Sequence, residues 1–238
     1  MSGLSLRQFV VDQHCVPWKL RLAVRRMVPW QYRRRLLHGR VNLNTPAAMD
    51  QRYRSQGTDF RSMENLYGRL LPLLPSQGRL LDAGCGIAVL LRTIRQRYPQ
   101  LELHGVDFSP VAVERTREYG FAAQVAVLPD LPYDDGCFDA VTCTEVLEHL
   151  DDPAAAVRSF ARVLRAGGWL IVSAPQDLDP DHCLEHVQDF DEPALRGCLS
   201  QTGLDLVHLE SVEREPHRKP GVSWLAVAVK VGSDADRR

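Results

Sequence analysis

The chain has 238 residues, a formal net charge of −1 and 45% hydrophobic residues, which suits a soluble globular protein with one sizeable core plus additions. No apolar run approaches the roughly 20 residues that a bilayer-spanning helix needs, and the opening MSGLSLRQFVVDQHC lacks the basic start, apolar centre and cleavage site of a signal peptide. The six cysteines (Cys15, Cys85, Cys137, Cys143, Cys183, Cys198) form no CxxC pair and no spaced framework, so they read as reduced thiols of a cytosolic protein.

Charge is uneven along the chain. Residues 1–40 carry nine Lys/Arg against a single acid, Asp12, a net of +8 that leaves −9 for the remainder. Within this arm Leu20, Ala23, Val24 and Met27 fall at i, i+3, i+4 and i+7, with Lys19, Arg21, Arg25 and Arg26 on the other side, which predicts a short amphipathic helix. Pro29 opens a second segment with Trp30, Tyr32 and Arg33-Arg34-Arg35. Residues 16–40 admit three readings: a helical lid packed on the body, peripheral attachment to an anionic membrane, and contact with nucleic-acid phosphates. No RNA-binding module signature accompanies the last. The arm is set apart as an N-terminal extension over 1–60, ahead of a catalytic-type domain over 61–238.

After about residue 78 the pattern alternates. RLLDA (79–83) is strand-like and precedes a helical run through Tyr98. LELHGVD (101–107) precedes a helix opened by Ser109-Pro110, a capping residue followed by proline in the first turn. FAAQVAV (121–127) and CFDAVTCT (137–144) follow as strands, then a helix entered near Asp151-Asp152-Pro153 and stopped by Gly167-Gly168. WLIVSAP (169–175) reads as a buried strand, 192–201 as a helix, and LDLVHLESV (204–212) and VSWLAVAVKV (222–231) as an antiparallel pair. Strands alternating with helices predict a Rossmann-like, doubly wound α/β fold, with a mainly parallel seven-stranded sheet and an antiparallel C-terminal hairpin. Ligands of such sheets bind beyond the carboxyl ends of the strands.

The loop after the first strand, Ala83-Gly84-Cys85-Gly86, is the candidate ligand cradle. A dinucleotide fingerprint needs G-x-G-x-x-G, and Val89 stands at the third glycine position. Asp82 ends the strand at the loop, where a carboxylate opposes a pyrophosphate and favours a cation. Asp107 ends the next strand, where a carboxylate can take both hydroxyls of a ribose. A ribose acceptor, a close backbone loop and a carboxylate suited to an ammonium or sulfonium describe S-adenosylmethionine better than NAD.

LLDAGCG, HGVDFSP, LPYDDGCFDAVTCTEVLEHLDDP and LRAGGWLIVSAP, in that order, resemble the successive motifs of the class I S-adenosylmethionine-dependent methyltransferases over about residues 64–212. The group it resembles most holds the ubiquinone-biosynthesis O-methyltransferases and many small-molecule and sugar methyltransferases. The resemblance implies that Asp82, Ala83, Gly84, Cys85 and Gly86 line the methionine part of the cofactor. It implies that Asp107 holds the ribose, with Phe108 against the adenine, and that Leu128–Leu131 form the adenine edge. Thr144 and Glu145 then lie near the methyl-transfer end. Ala88 stands where glycine is common, and Val127 where an adenine-binding aspartate is common; Asp130 is the candidate replacement.

TEVLEHLDD places Glu145, Glu148 and His149 on one face if the segment is helical, and DHCLEHVQDF adds His182 and His186. Carboxylates with imidazoles suit a divalent cation such as Mg, Mn or Zn; the resemblance implies Glu145, Glu148, His149 and His186 as its ligands. For transfer to a hydroxyl, His149 and His186 are the general-base candidates. The expected activity is O-methylation of a small-molecule or lipid- or sugar-linked acceptor by a cytoplasmic protein, one that could sit at the inner face of a membrane. The alternatives are a non-catalytic cofactor-binding module acting through its basic arm, and an NAD(P)-dependent oxidoreductase.

Overall fold

The computed structural model describes residues 44–55, 63–176, 186–188, 190–200, 202–214 and 221–232. The expected basic helix at 16–40, His182, Cys15 and Cys183 lie outside them.

In chain order the elements are α1 (Pro46–Ser55), α2 (Glu64–Leu70), β1 (Gly78–Ala83), α3 (Val89–Arg97), β2 (Leu101–Asp107), α4 (Pro110–Glu118), β3 (Ala122–Val125), β4 (Phe138–Thr144), a 3-10 turn (Leu147–His149), α5 (Pro153–Val163), β5 (Leu164–Pro175), α6 (Glu192–Ser200), β6 (Leu204–Arg214) and β7 (Gly221–Lys230). The seven strands lie in the order β3-β2-β1-β4-β5-β7-β6. The first five run parallel, and β7 pairs antiparallel with both β5 and β6. Strand order reverses between β1 and β4, so the crevice that receives ligands in such folds opens above the carboxyl ends of these two strands.

Two apolar layers hold the sheet. On one face Leu66 and Leu70 of α2 and Leu90, Leu91 and Ile94 of α3 pack against Leu80, Ala140, Ile171 and Leu225. On the other, Val157 and Phe160 of α5 and Leu195 and Leu199 of α6 pack against Leu81, Val141, Leu170 and Val172. Burying each large side chain of this kind contributes about 1.5–3 kcal/mol. Leu80 and Leu81 go to opposite layers because successive strand residues point to opposite faces.

Local chemistry sets the helix starts as expected. Ser109 Oγ accepts from Ala112 N at 3.1 Å and Pro110 opens α4; Asp152 accepts from Ala155 N at 2.9 Å and Pro153 opens α5. The glycine pair does not end α5. The helix stops at Val163, and β5 begins at Leu164 and runs straight through Gly167-Gly168. Gly168 is required for packing: a Cβ there would lie 2.9 Å from Arg165 O and 3.2 Å from Asp139 O. Among the described residues no helix is long and apolar enough to cross a membrane.

Candidate active site

The loop after β1 is bound to β2 before any ligand is considered. Gly84 N and Cys85 N both donate to Val106 O, at 2.8 and 2.9 Å. Gly84 has φ +81, and a Cβ there would collide with Val146, so both the backbone and the space at that point demand glycine. Ala88 sits at φ 62, ψ 30, the left-handed region. That explains a glycine preference at this position; alanine is accommodated at a cost of about 1 kcal/mol. The loop also has an anchor that sequence reasoning missed: Thr116 of α4 donates from Oγ1 to Gly86 O at 3.0 Å.

Asp107, at the end of β2, accepts from Gly86 N through Oδ2 and from Ser109 N through Oδ1, each at 2.9 Å. It thereby ties the glycine loop to the entry of α4. Asp82 accepts from Thr142 Oγ1 at 2.8 Å. Both acids are nearly inaccessible. Burial pushes the Asp82 carboxyl up to about 7, the Thr142 hydrogen bond opposing and the Asp107 charge adding. Burial likewise pushes Asp107 up to about 6, against the Ser109 and Gly86 N–H groups that favour its anion, with Asp50 adding to the rise. Tyr67 of α2 stands near the same end of the site. Its phenol is pushed up by burial and then by the charges of Asp82 and Glu145.

Two buried acids with raised affinity for protons make a site that favours a cation. Their contribution to stability is complete below the ordinary carboxyl range and is lost as pH rises through about 6 for Asp107 and about 7 for Asp82. The ligand-free protein should therefore lose thermal stability between about pH 4 and about pH 7, and a cationic ligand should release protons on binding toward the upper end of that window. Calorimetric titration in two buffers of different ionisation heat, with Asp82→Asn as the variant that removes the upper step, checks this. Equal apparent heats in both buffers would contradict it.

On the adenine side of the expected site, Phe108 is partly exposed just past β2, and Leu128 is half-buried. Asp130 is exposed in a turn in which its N–H donates to Val127 O at 2.8 Å. The segment is clamped from behind by Arg162 of α5, which donates to Tyr133 O at 2.8 Å and Leu131 O at 3.0 Å. The long reach of an arginine on the far side of a helix leaves no local sequence signal.

Beyond β4, Thr144 is followed by Glu145 at φ 55, a left-handed conformation uncommon for a side chain of this size. Glu145 N donates to Ser173 Oγ and Ser173 O, at 3.2 and 3.1 Å, while Ser173 Oγ donates to Glu145 Oε1 at 2.9 Å. This reversal cuts off any α-helix, and only the 3-10 turn Leu147–His149 follows. The expectation of a shared helical face for Glu145, Glu148 and His149 is thus corrected. Glu148 and His149 are instead met by His186 from a distant segment. Val187 N and Gln188 N donate to Glu148 O at 2.8 and 3.1 Å, and Gln188 Nε2 reaches Leu150 O at 3.3 Å. The ring nitrogens of His149 and His186 lie 3.8 and 3.9 Å from Glu148 Oε1, and one donor atom from each of the three lies within 4.8 Å of the others. Glu145, expected as a fourth metal ligand, is outside this group among the described residues.

A profile of the methyltransferase domain family matches residues 52–209. The chain belongs to the class I S-adenosylmethionine-dependent methyltransferases. The methyltransferase is 31% identical over 189 residues to the ubiquinone biosynthesis O-methyltransferase of Xanthomonas axonopodis pv. citri (strain 306), covering 66% of this chain and 78% of the relative. A second relative of the same name, from Alkalilimnicola ehrlichii, is 38% identical over 104 residues, 40% of each chain. In fold the methyltransferase is similar to the putative methyltransferase solved in complex with a Haloferax volcanii methyltransferase activator, with TM-score 0.65 and 20% identity over 77% of this chain and 98% of that one. The residues around the loop fit the cofactor of the family: the buried Asp82 carboxylate opposes a dinucleotide pyrophosphate and suits a sulfonium or an ammonium, and Asp107 at the end of β2 suits a ribose. The oxidoreductase alternative is thereby set aside.

Proposed function

We propose that the methyltransferase moves a methyl group onto a hydroxyl oxygen of a small or lipid-linked acceptor, beside a divalent cation held by Glu148, His149 and His186. The convergence of these three donor groups from two segments carries the reading. One carboxylate and two imidazoles suit Mn or Zn. The likeness to ubiquinone biosynthesis O-methyltransferases supports an oxygen acceptor.

S-adenosylmethionine supplies an electrophilic methyl on a sulfonium when bound. The chain's own part is largely placement, since in-line displacement depends on proximity and orientation. In this reading Asp107 takes the ribose hydroxyls, Phe108 and Leu128–Leu131 flank the adenine with Asp130 at its rim, and Asp82 with the Ala83–Gly86 loop faces the methionine part. Thr144 and Glu145 border the methyl-transfer end. A cation on Glu148, His149 and His186 would draw the acceptor oxygen in and lower the pKa of its hydroxyl. Where no cation binds, His149 or His186 takes the acceptor proton directly. For a lipid-linked acceptor, residues 16–40 would meet an anionic membrane from the cytoplasmic side.

The test is turnover of catechol and of a short polyprenyl phenol, read as S-adenosylhomocysteine formed, with and without added Mn or Zn. Metal-stimulated methyl ether formation is the expected result. S-adenosylhomocysteine binding without turnover of any hydroxyl acceptor would instead favour a non-catalytic cofactor-binding module.

A further inference from the structure

Helix α1 buries none of its residues. A ten-residue helix is marginal in water on its own, and this one is only half-buried where Ala48, Met49 and Tyr53 turn inward. Its described attachments are polar, and they meet the site at both ends. Asn44, just before the helix, donates from Nδ2 to His149 O at 3.4 Å. Asp50 Oδ1 accepts from Ser109 Oγ and from Val111 N, the latter at 3.3 Å. Tyr53, one turn on and on the same face, brings its hydroxyl to 3.2 Å from where a Cβ on Gly86 would stand. Asp107 joins these two anchor points, because it accepts from both Gly86 N and Ser109 N. Asp50, Ser109, Asp107, Gly86 and Tyr53 therefore form one closed circuit, and α1 is a strap running from the His149 turn to the end of β2.

We propose that Asp50 is a positioning residue for the cofactor: by holding Ser109 and the first turn of α4 it seats α1 across the glycine loop, with Tyr53 over Gly86. Asp50 itself lies two residues before the stretch that matches the family profile, while its partners Ser109 and Val111 and its helix neighbour Tyr53 lie inside it. The proposal rests on the reading of the glycine loop and Asp107 as the cofactor site.

The test uses the full chain and S-adenosylhomocysteine as the probe. Calorimetric affinity is measured for the wild type, Asp50→Ala, Asp50→Asn and Tyr53→Ala, together with amide exchange over residues 46–55. Asp50→Ala loses two hydrogen bonds, one of them to a hydroxyl, and should weaken binding about 10-fold. It should also remove the slowing of exchange in α1 that the probe produces in the wild type. Asp50→Asn keeps an oxygen that accepts both bonds and should stay within about threefold of wild type. Wild-type affinity in Asp50→Ala with a lowered melting temperature would show a merely structural contact and overturn the proposal. Should Asp50→Ala fail to fold, unchanged affinity in Tyr53→Ala overturns it equally. A wild type that binds no probe removes the cofactor reading itself, which separates the two failures.

Discussion

Asp107→Ala should weaken S-adenosylmethionine and S-adenosylhomocysteine binding at least about 100-fold, since a charge-assisted hydrogen bond contributes about 1.5–3 kcal/mol and two are lost. In the proposed site this carboxylate takes the ribose diol. Each oxygen accepts one backbone N–H at 2.9 Å, which fixes the plane of the group and leaves its other lone pairs for the two hydroxyls. Alanine also strands the Gly86 and Ser109 N–H groups, at about 1–3 kcal/mol each if they stay buried, so the variant should melt lower as well. Asp107→Asn separates the effects. Its amide oxygen can satisfy one loop N–H while its nitrogen cannot accept from a ribose hydroxyl, so folding should recover more than affinity. Calorimetric titration with both nucleosides and with NADH reads the outcome; NADH should bind neither form. Unaltered affinity in Asp107→Asn would place the ribose elsewhere.

The second large effect concerns Glu148, His149 and His186. Prolonged chelation should lower turnover at least about 100-fold, because a Lewis acid at the reacting oxygen supplies several kcal/mol, and added Mn or Zn should restore it. His186→Ala should reproduce the loss with the cofactor affinity intact, because His186 is brought in by the backbone of 187–188 on Glu148 O and not by the glycine loop. Direct metal analysis of the purified wild type and of His186→Ala gives a readout independent of activity. Full turnover after metal has been shown to be absent would leave the two histidines as proton acceptors beside the Glu148 carboxylate.

Three of the parallel strands are legible because each carries buried apolar residues and closes on or beside a polar residue. Asp82, Asp107 and Thr144 all fall at or beside the strand ends where the periodicity put them. Ser109-Pro110 and Asp152-Pro153 announced their helices through local capping chemistry that needs no tertiary partner. What failed to read was non-local. The spacing of Glu145, Glu148 and His149 fits a helical face, yet Ser173 from the neighbouring strand captures Glu145 and turns the backbone left-handed. Gly167-Gly168 looked like a helix stop, but pairing with β4 and β7 carries the backbone through as strand. Asp50, Tyr53, Thr116 and Arg162 act across the fold, on partners that nothing in their own neighbourhoods names. His186 is implied by the family resemblance of its segment, and the backbone bonds of 187–188 to Glu148 bring it to its partners.

The cradle also shows how side-chain volume is shared between distant positions. Gly105 lies in the middle of β2, and a Cβ there would come within 2.7 Å of Cys85 Sγ and 3.2 Å of Leu91 Cδ1. The buried thiol fills the space that the missing side chain leaves, under the floor of the glycine loop. The two positions therefore trade bulk: a larger residue at one demands a smaller one at the other. Anyone recasting this loop for a different nucleotide would have to edit the second strand at the same time, and natural relatives that alter one of the pair are expected to have altered both.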